Sequence, residues 1–284
     1  MTSKAPPSPP PKRPTATAPG VASRATPATL AVAEPKFEPP RICLNAVAGF
    51  GKTSAGAFAE GAAILMAAGE TGYRTLLSAK RVPAIPSAVI ESWPQLLATV
   101  DDLINQSAGI KLLILDAMGG FEDMCHQYVC DRDYGGDWGE KGFTGFQRGY
   151  DVSVKDWLGL LSRLDRLREK QGVALLLLSH SQVRNFKNPS GPDFDRYVTN
   201  MHHKTSDVTR DWADAVLFGN FLTVIDKPKG GRAKGIGGTD RVIYTERRDA
   251  FDAKNRYGMQ ESFMLSNDPA ETWSIITNAM KGES

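Results

Sequence analysis

The sequence predicts an α/β protein with a mostly parallel β-sheet that is covered by helices on both faces. Continuous apolar runs, such as residues 111–116 and 173–178, alternate with segments of helical periodicity, such as residues 151–171. Strands this apolar are buried on both faces, as in parallel sheets. Polar residues follow several of these runs, and ligands of such sheets bind beyond the carboxyl ends of the strands. We therefore expect one ligand site at that edge.

The remaining elements follow from the same patterns in chain order. Strands are expected at residues 42–45, 62–67, 111–116, 173–178, 213–218 and 241–245, and helices at residues 53–60, 94–106 and 151–171. Residues 182–203 are polar and rich in Gly, Pro and Asn, which predicts a long loop. Residues 119–150 are rich in Gly, Asp and aromatic residues, and we interpret them as an insertion that forms a lid or a partner-selecting surface.

Composition narrows the class of protein. The 284 residues are 41% hydrophobic and 23% charged, which is typical of a globular protein. No run of about 18 apolar residues predicts a membrane span, and the N-terminus lacks the apolar core of a secretory signal. Three cysteines favour a reducing, cytoplasmic location, and we expect no membrane partner. The net charge of +2 does not by itself indicate a nucleic-acid-binding protein.

The chain divides into an N-terminal arm, residues 1–39, and one folded domain, residues 40–284. The first forty residues hold eleven of the eighteen prolines and carry five basic and two acidic side chains. Such a segment buries little apolar surface, so we expect a disordered, mildly basic arm. A spacer is favoured over a specific docking motif.

Residues 41–54, Arg-Ile-Cys-Leu-Asn-Ala-Val-Ala-Gly-Phe-Gly-Lys-Thr-Ser, have the order of a P-loop: an apolar strand, a glycine-containing loop and a helix start. Backbone N–H groups of such loops bind phosphate oxygens, Lys52 can reach the β- and γ-phosphates, and Thr53 can hold Mg²⁺. The expected ATP-binding residues are Ala46, Val47, Ala48, Gly49, Phe50, Gly51, Lys52, Thr53 and Ser54. Ala46 replaces the first glycine of the motif. A chance Gly-Lys-Thr is disfavoured by the flanking strand and helix.

Three polar residues at predicted strand ends could complete the site. Asp116 follows four apolar residues on what we take as the strand beside the P-loop, a Walker B pattern that can bind Mg²⁺. Glu70 could activate the attacking water, or it could be a solvated turn residue. His180 could sense the γ-phosphate, or it could be a histidine satisfied at a strand end.

Basic segments suggest further contacts. Residues 182–203 contain the cations Arg184, Lys187, Arg196 and nearby Lys204, with Phe186, Phe194 and Tyr197 available for stacking on bases. A solvated loop is an equal alternative. Lys254 and Arg256 could complete the phosphate site of a neighbouring subunit, or they could be ordinary surface charge.

A cysteine–histidine pattern suggests a metal only weakly. Cys125, His126 and Cys130 have spacing too loose for zinc, so buried thiols are favoured.

Together these segments resemble the RecA-like phage ATP-binding family, which includes Sak-type single-strand annealing and recombination ATPases. The matching residues are 46–54, 64–72, 112–116, 173–181, 212–218 and 253–258, and the last also resembles the Lys-x-Arg finger of DnaB-type hexameric helicases. The resemblance implies ATP and Mg²⁺ as cofactors and Glu70 as the catalytic glutamate. It also implies a homo-oligomer with ATP between subunits, and single-stranded DNA and single-strand-binding proteins as partners.

The sequence thus predicts an ATPase that acts on single-stranded DNA in recombination or replication. In this reading, the catalytic residues are Lys52, Glu70, His180, Lys254 and Arg256, and the metal ligands are Thr53 and Asp116. A hexameric helicase or helicase loader, and a nucleotide-switch adaptor with negligible turnover, are the alternatives.

Overall fold

A computed structural model describes Val32 and residues 37–107, 109–226 and 234–283 of the chain. The predicted arm, apart from Val32 and residues 37–39, lies outside the described residues. Within the described part of the chain, no helix is both long and apolar enough to span a membrane.

Ten strands form the sheet in the described part of the chain. They are β1 (Arg41–Ala46), β2 (Ala62–Ala67), β3 (Ser87–Ile90), β4 (Leu112–Asp116), β5 (Ala174–Phe186), β6 (Phe194–Thr199), β7 (Ala215–Asp226), β8 (Lys234–Tyr244), β9 (Lys254–Asn255) and β10 (Ser262–Met264). The strand order is β10-β8-β7-β1-β5-β4-β2-β3, with β6 paired to β5 and β9 paired to β7. Strands β3, β2, β4, β5, β1 and β7 are parallel neighbours, while β8 and β10 add an antiparallel edge. The predicted, mostly parallel α/β fold is confirmed.

Among the residues with described positions, seven α-helices cover the two faces of this sheet. They are α1 (Ser54–Ala57), α2 (Gly72–Ser78), α3 (Trp93–Asn105), α4 (Met118–Tyr134), α5 (Arg148–Gln171), α6 (His203–Trp212) and α7 (Thr272–Lys281). One core, which contains Ile64, Leu176 and Ile276, packs α1, α2 and α7 on one face. A second core, which contains Trp93, Trp157 and Leu175, packs α3, α4 and α5 on the other. The sheet is therefore buried on both sides, as its apolar strands require.

The order of the central strands corrects one expectation. Strand β4, which ends in Asp116, is not the neighbour of the P-loop strand β1, because β5 lies between them and pairs with both. In register, Ala46 of β1 faces His180 of β5, and Asp116 of β4 faces Leu178 of β5. This order places His180 between the P-loop and Asp116.

The prediction of a loop at residues 182–203 is wrong over most of its length. Strand β5 continues to Phe186, and β6 returns antiparallel to it, pairing Arg184 with Arg196 and Phe186 with Phe194. We call residues Ser181–Thr199 the β5–β6 hairpin. Its strands carry polar residues on both faces, so no period-two pattern of apolar residues identified them.

The insertion expected at residues 119–150 is also largely regular structure. Helix α4 fills its first half and begins two residues after Asp116. Gly120 permits the contact with the sheet, because a Cβ there would lie 2.6 Å from the Cβ of Ala67. The first predicted helix, residues 53–60, is in contrast only the four residues of α1.

Candidate nucleotide site

The P-loop residues form a tight turn between β1 and α1. Gly49 and Gly51 have φ angles of +75° and +96°, a left-handed region that glycine adopts without steric cost. The buried Lys52 ammonium donates hydrogen bonds to the carbonyls of Ala46, at 2.9 Å, and Val47, at 3.1 Å. Burial lowers the pKa of Lys52, and the charges of Asp116 and Glu70 partly oppose this shift. Phosphate oxygens could replace the two carbonyls as acceptors.

The alanine at the first motif position fits the local backbone. Ala46 is the last residue of β1, and it is not among the residues with a positive φ angle, so glycine is not needed there. The space is provided by Gly219 on β7 instead. A Cβ at Gly219 would lie 2.9 Å from the Cβ of Ala46 and 2.6 Å from the ring of Phe50. The departure from the motif is therefore accommodated by the neighbouring strand.

Thr53, which directly precedes α1, meets Asp116 although β5 separates the P-loop strand β1 from β4. The Thr53 hydroxyl donates a 2.7 Å hydrogen bond to Asp116 Oδ2. Burial raises the pKa of Asp116, and the Thr53 hydrogen bond partly opposes that shift. A hydroxyl and a buried carboxylate in contact are oxygen ligands of the kind that Mg²⁺ uses together with nucleotide phosphates and water. The pair therefore fits a magnesium ion, which would neutralise charge on the β- and γ-phosphates.

Glu70 and His180 form a second pair at the same edge. His180 Nε2 lies 3.4 Å from Glu70 Oε1, and both side chains are partly exposed. The charge of Glu70 raises the pKa values of both Lys52 and Asp116, which places its carboxylate in their electrostatic range. Two carboxylates, a lysine, a threonine and a histidine thus share one edge. Such a carboxylate can accept a proton from water, and the histidine can hold it in position.

Arg241 is a site residue that the sequence reasoning did not identify. It lies on β8, and its Nη1 donates a 3.3 Å hydrogen bond to the carbonyl of Phe50 in the P-loop. The same nitrogen lies 3.0 Å from the Cβ position of Gly51. The contact joins residues 191 apart in the sequence, so no local motif marks this arginine.

Lys254 and Arg256 lie near the amino ends of the parallel strands, which we call the amino edge of the sheet, whereas the nucleotide site lies at the carboxyl ends, the carboxyl edge. Strand β9 pairs with the first residues of β7, which are aligned with Ile42 and Cys43 of β1, about 10–13 Å from the P-loop end of that strand. Lys254 Nζ donates to the carbonyls of Arg210, Asp211 and Ala213 at 2.8–2.9 Å, and thereby caps the C-terminus of α6. Arg256 is half exposed and contacts Asp214 at 3.3 Å. Within one chain, neither residue joins the nucleotide site, which corrects the expectation of a single edge for all polar residues.

The β5–β6 hairpin begins at the nucleotide site. His180 precedes it directly, and the backbone N–H of Asn200 after β6 donates to the His180 carbonyl at 2.9 Å. The rings of Phe186 and Phe194 pack with centroids 5.3 Å apart, and the Arg196 guanidinium lies 5.5 Å from the Phe186 ring. Arg196 is buried and paired with Asp252, whereas Arg184 is exposed.

The cysteines have the environment of structural thiols. Cys125 and Cys130 are buried on α4, and burial raises the pKa of the Cys125 thiol. The His126 ring packs on Phe143 and Tyr150, with centroids 5.6 and 5.1 Å away. Among the residues with described positions, no three His, Cys, Asp or Glu side chains are grouped to hold a metal ion.

Comparison with known families assigns the chain. A family model described as AAA domain matches residues 38–257, which is most of the chain and includes all of the candidate site residues described in this subsection. The chain therefore belongs to this family of P-loop ATPases, and binding and hydrolysis of a nucleotide are the activities that the family supports. A search of curated proteins finds no match.

Proposed function

We propose that this chain hydrolyses ATP and couples the hydrolysis to binding of single-stranded DNA, as in the RecA-like recombination ATPases that its motifs resemble. The observation that carries the proposal is the convergence of Lys52, the Thr53–Asp116 pair and the Glu70–His180 pair on one sheet edge. This is the set of groups that phosphoryl transfer needs: a phosphate cradle, metal ligands and a group that orients water.

Each residue has a definite task in this proposal. The P-loop amides and Lys52 hold the phosphates, while Thr53 and Asp116 hold Mg²⁺. Glu70 orients the attacking water and accepts its proton. His180 lies 3.4 Å from Glu70, so a shift of the glutamate toward water or phosphate would release the histidine. The β5–β6 hairpin begins directly after His180. A movement of His180 on ATP hydrolysis would therefore be transmitted to the hairpin.

Two features of the hairpin support single-stranded DNA as the partner. It presents an exposed arginine, Arg184, and a pair of phenylalanine rings at its tip. Basic residues contact the DNA backbone, and aromatic rings stack on bases with little sequence preference. The hairpin also begins directly after His180, which lies at the candidate nucleotide site.

In a homo-oligomer, the amino edge of one subunit would lie against the nucleotide bound to its neighbour. Arg256, half exposed at the amino edge, is the better candidate for a residue that acts in trans, because the three hydrogen bonds of Lys254 would have to break first. The proposed oligomer therefore stacks the amino edge of one subunit near the P-loop of the next.

Phosphate release with and without single-stranded DNA tests the proposed function. We expect Mg²⁺-dependent ATP hydrolysis that single-stranded DNA stimulates and that duplex DNA of equal length stimulates less. Tight ATP binding with no turnover under either condition would favour the nucleotide-switch adaptor. Processive unwinding of a forked duplex would favour the helicase.

A further inference from the structure

A cavity of about 180 Å³ lies on the other face of the sheet from the helix α1, beneath the β5–β6 hairpin. Its floor is formed by Asn45 on β1 and Val216 on β7, and its walls by the hairpin and α6. Tyr197 and Arg184 of the hairpin and Arg210 of α6 line it. None of the nucleotide-site residues Lys52, Thr53, Glu70, Asp116 and His180 lines this cavity.

The floor of the cavity contains an acceptor without a donor. Asn45 is 7% exposed, and its Oδ1 accepts no hydrogen bond from the described part of the chain. Buried side-chain oxygens normally have a partner, and each exception calls for an explanation. Asn45 lines the cavity, so a rotation of its side-chain amide would present this oxygen to an N–H donor of a ligand bound there.

The mouth of the cavity contains a cation without a counter-ion. Arg184 is exposed and has no ion pair with any residue whose position is described, and its cross-strand neighbour is another arginine, Arg196. Like charges directly opposite each other destabilise a strand pair. Arg196 is neutralised by Asp252, so Arg184 remains available for an anion.

We propose that this cavity receives one nucleobase of a bound single strand, a proposal that rests on the DNA binding proposed above. A base is flat and fits beside the Tyr197 ring, and the Watson–Crick edge of every DNA base carries an N–H group that Asn45 Oδ1 can accept. The adjoining phosphate would lie at Arg184. The hairpin would thus hold the strand by its backbone and by one inserted base.

Fluorescence anisotropy with two labelled oligonucleotides of equal length tests this, one of normal thymidines and one abasic at every position. At one salt concentration, the wild type should bind the thymidine strand more tightly. Asn45→Leu should weaken binding to the thymidine strand about tenfold, the effect of one lost buried hydrogen bond, and leave the abasic strand unaffected. Its melting temperature should not fall, because an apolar group of similar size replaces an acceptor that has no partner.

Two further variants make the result specific. Arg184→Gln should weaken binding to both strands by the same factor, because it contacts phosphate, and Lys170→Ala on the amino edge should change neither. Ser206→Phe fills the cavity from α6 and should have the same effect on binding as Asn45→Leu. It serves as the test of the cavity if Asn45→Leu folds poorly.

Equal wild-type affinity for the two strands, or equal losses on both in Asn45→Leu and Ser206→Phe, would overturn the base cavity while leaving DNA binding intact. No binding of either strand by the wild type would instead overturn the proposed DNA partner, and the cavity proposal with it.

Discussion

The charged side chains at the two edges of the sheet are partnered in different ways. At the carboxyl edge, where the parallel strands end, Lys52 is held by two backbone carbonyls, and the carboxylate of Glu70 lies 3.4 Å from His180. At the amino edge, Arg41 is saturated: it donates to Asp214 at 2.6 Å and to Asp165 at 3.0 Å.

The difference has a physical consequence for each edge. Backbone carbonyls can release a lysine to phosphate at little cost, whereas a half-buried arginine cannot leave two carboxylates without exposing uncompensated charge. The carboxyl edge is therefore suited to exchanging partners with a ligand, and the amino edge to holding the fold. Substitutions at the first edge should change activity, and those at the second should change stability.

The largest expected effect is that of Lys52→Ala. We expect turnover to fall by at least about 10³-fold and nucleotide binding to weaken, because the phosphates lose their buried cation. Phosphate release and binding of a fluorescent ATP analogue measure the two effects. Lys111→Ala, which removes an exposed lysine paired with Glu60, is the matched control and should behave as the wild type. Normal turnover in Lys52→Ala would contradict the claim that the carboxyl edge exchanges its partners with a ligand.

Arg256→Ala tests whether the amino edge also acts on a neighbouring subunit. An arginine finger contributes roughly 10³–10⁵ in rate, so the variant alone should be almost inactive. Mixing it with Lys52→Ala should restore part of the ATPase, because some interfaces then combine an intact Lys52 with an intact Arg256. No recovery on mixing, with assembly verified by light scattering, would assign Arg256 to the holding function of its edge.

Asp214→Ala should lower stability. Removing Asp214 leaves Arg41 half-buried with only Asp165, and we expect a loss of about 3–4 kcal/mol in the free energy of unfolding, measured in urea. Burial raises the pKa of Asp214, but the hydrogen bonds and charge of Arg41 lower it more, so the net shift is downward. The contribution is thus present at neutral pH and lost as pH falls below about 4. Asp211→Ala, at an exposed neighbour, should cost little.

Glu122 is a carboxylate that neither edge explains, and it should give the smallest effect. It is buried on α4 and accepts hydrogen bonds from the His202 N–H, at 2.8 Å, and from the Thr205 hydroxyl, but it has no ion pair with any residue that the structure describes. Burial raises its pKa to about 7, so the folded state binds the proton more tightly than the unfolded state does.

The protonated carboxyl is therefore favoured in the fold, and the stability that it contributes is lost as pH rises from about 4.5 through 7. The stability of Glu122→Gln relative to the wild type should increase by up to about 3 kcal/mol between pH 4.5 and pH 8. If the difference in stability between Glu122→Gln and the wild type does not change with pH, the pKa of Glu122 is not raised by burial.

The parts of this fold that the sequence predicted are those with local signals. The apolar runs identified β1, β2, β4 and the first half of β5, and the glycines and Lys52-Thr53 identified the P-loop. Helix α4 was missed because its buried stripe contains Glu122 and His126, which hide the apolar period. The position of β5 between β1 and β4, and the contact of Arg241 with the P-loop, depend on pairing between distant segments that no local pattern encodes.

The most direct test of the central claim, that the carboxyl edge hydrolyses ATP through Glu70, is a single-turnover measurement on Glu70→Gln. Glutamine can hold a water but cannot take its proton, so hydrolysis should fall by roughly 10²–10⁴-fold while ATP binding is retained. Wild type should release phosphate under the same conditions, faster with single-stranded DNA. Normal hydrolysis by Glu70→Gln would leave Glu70 as a turn residue and contradict the assignment.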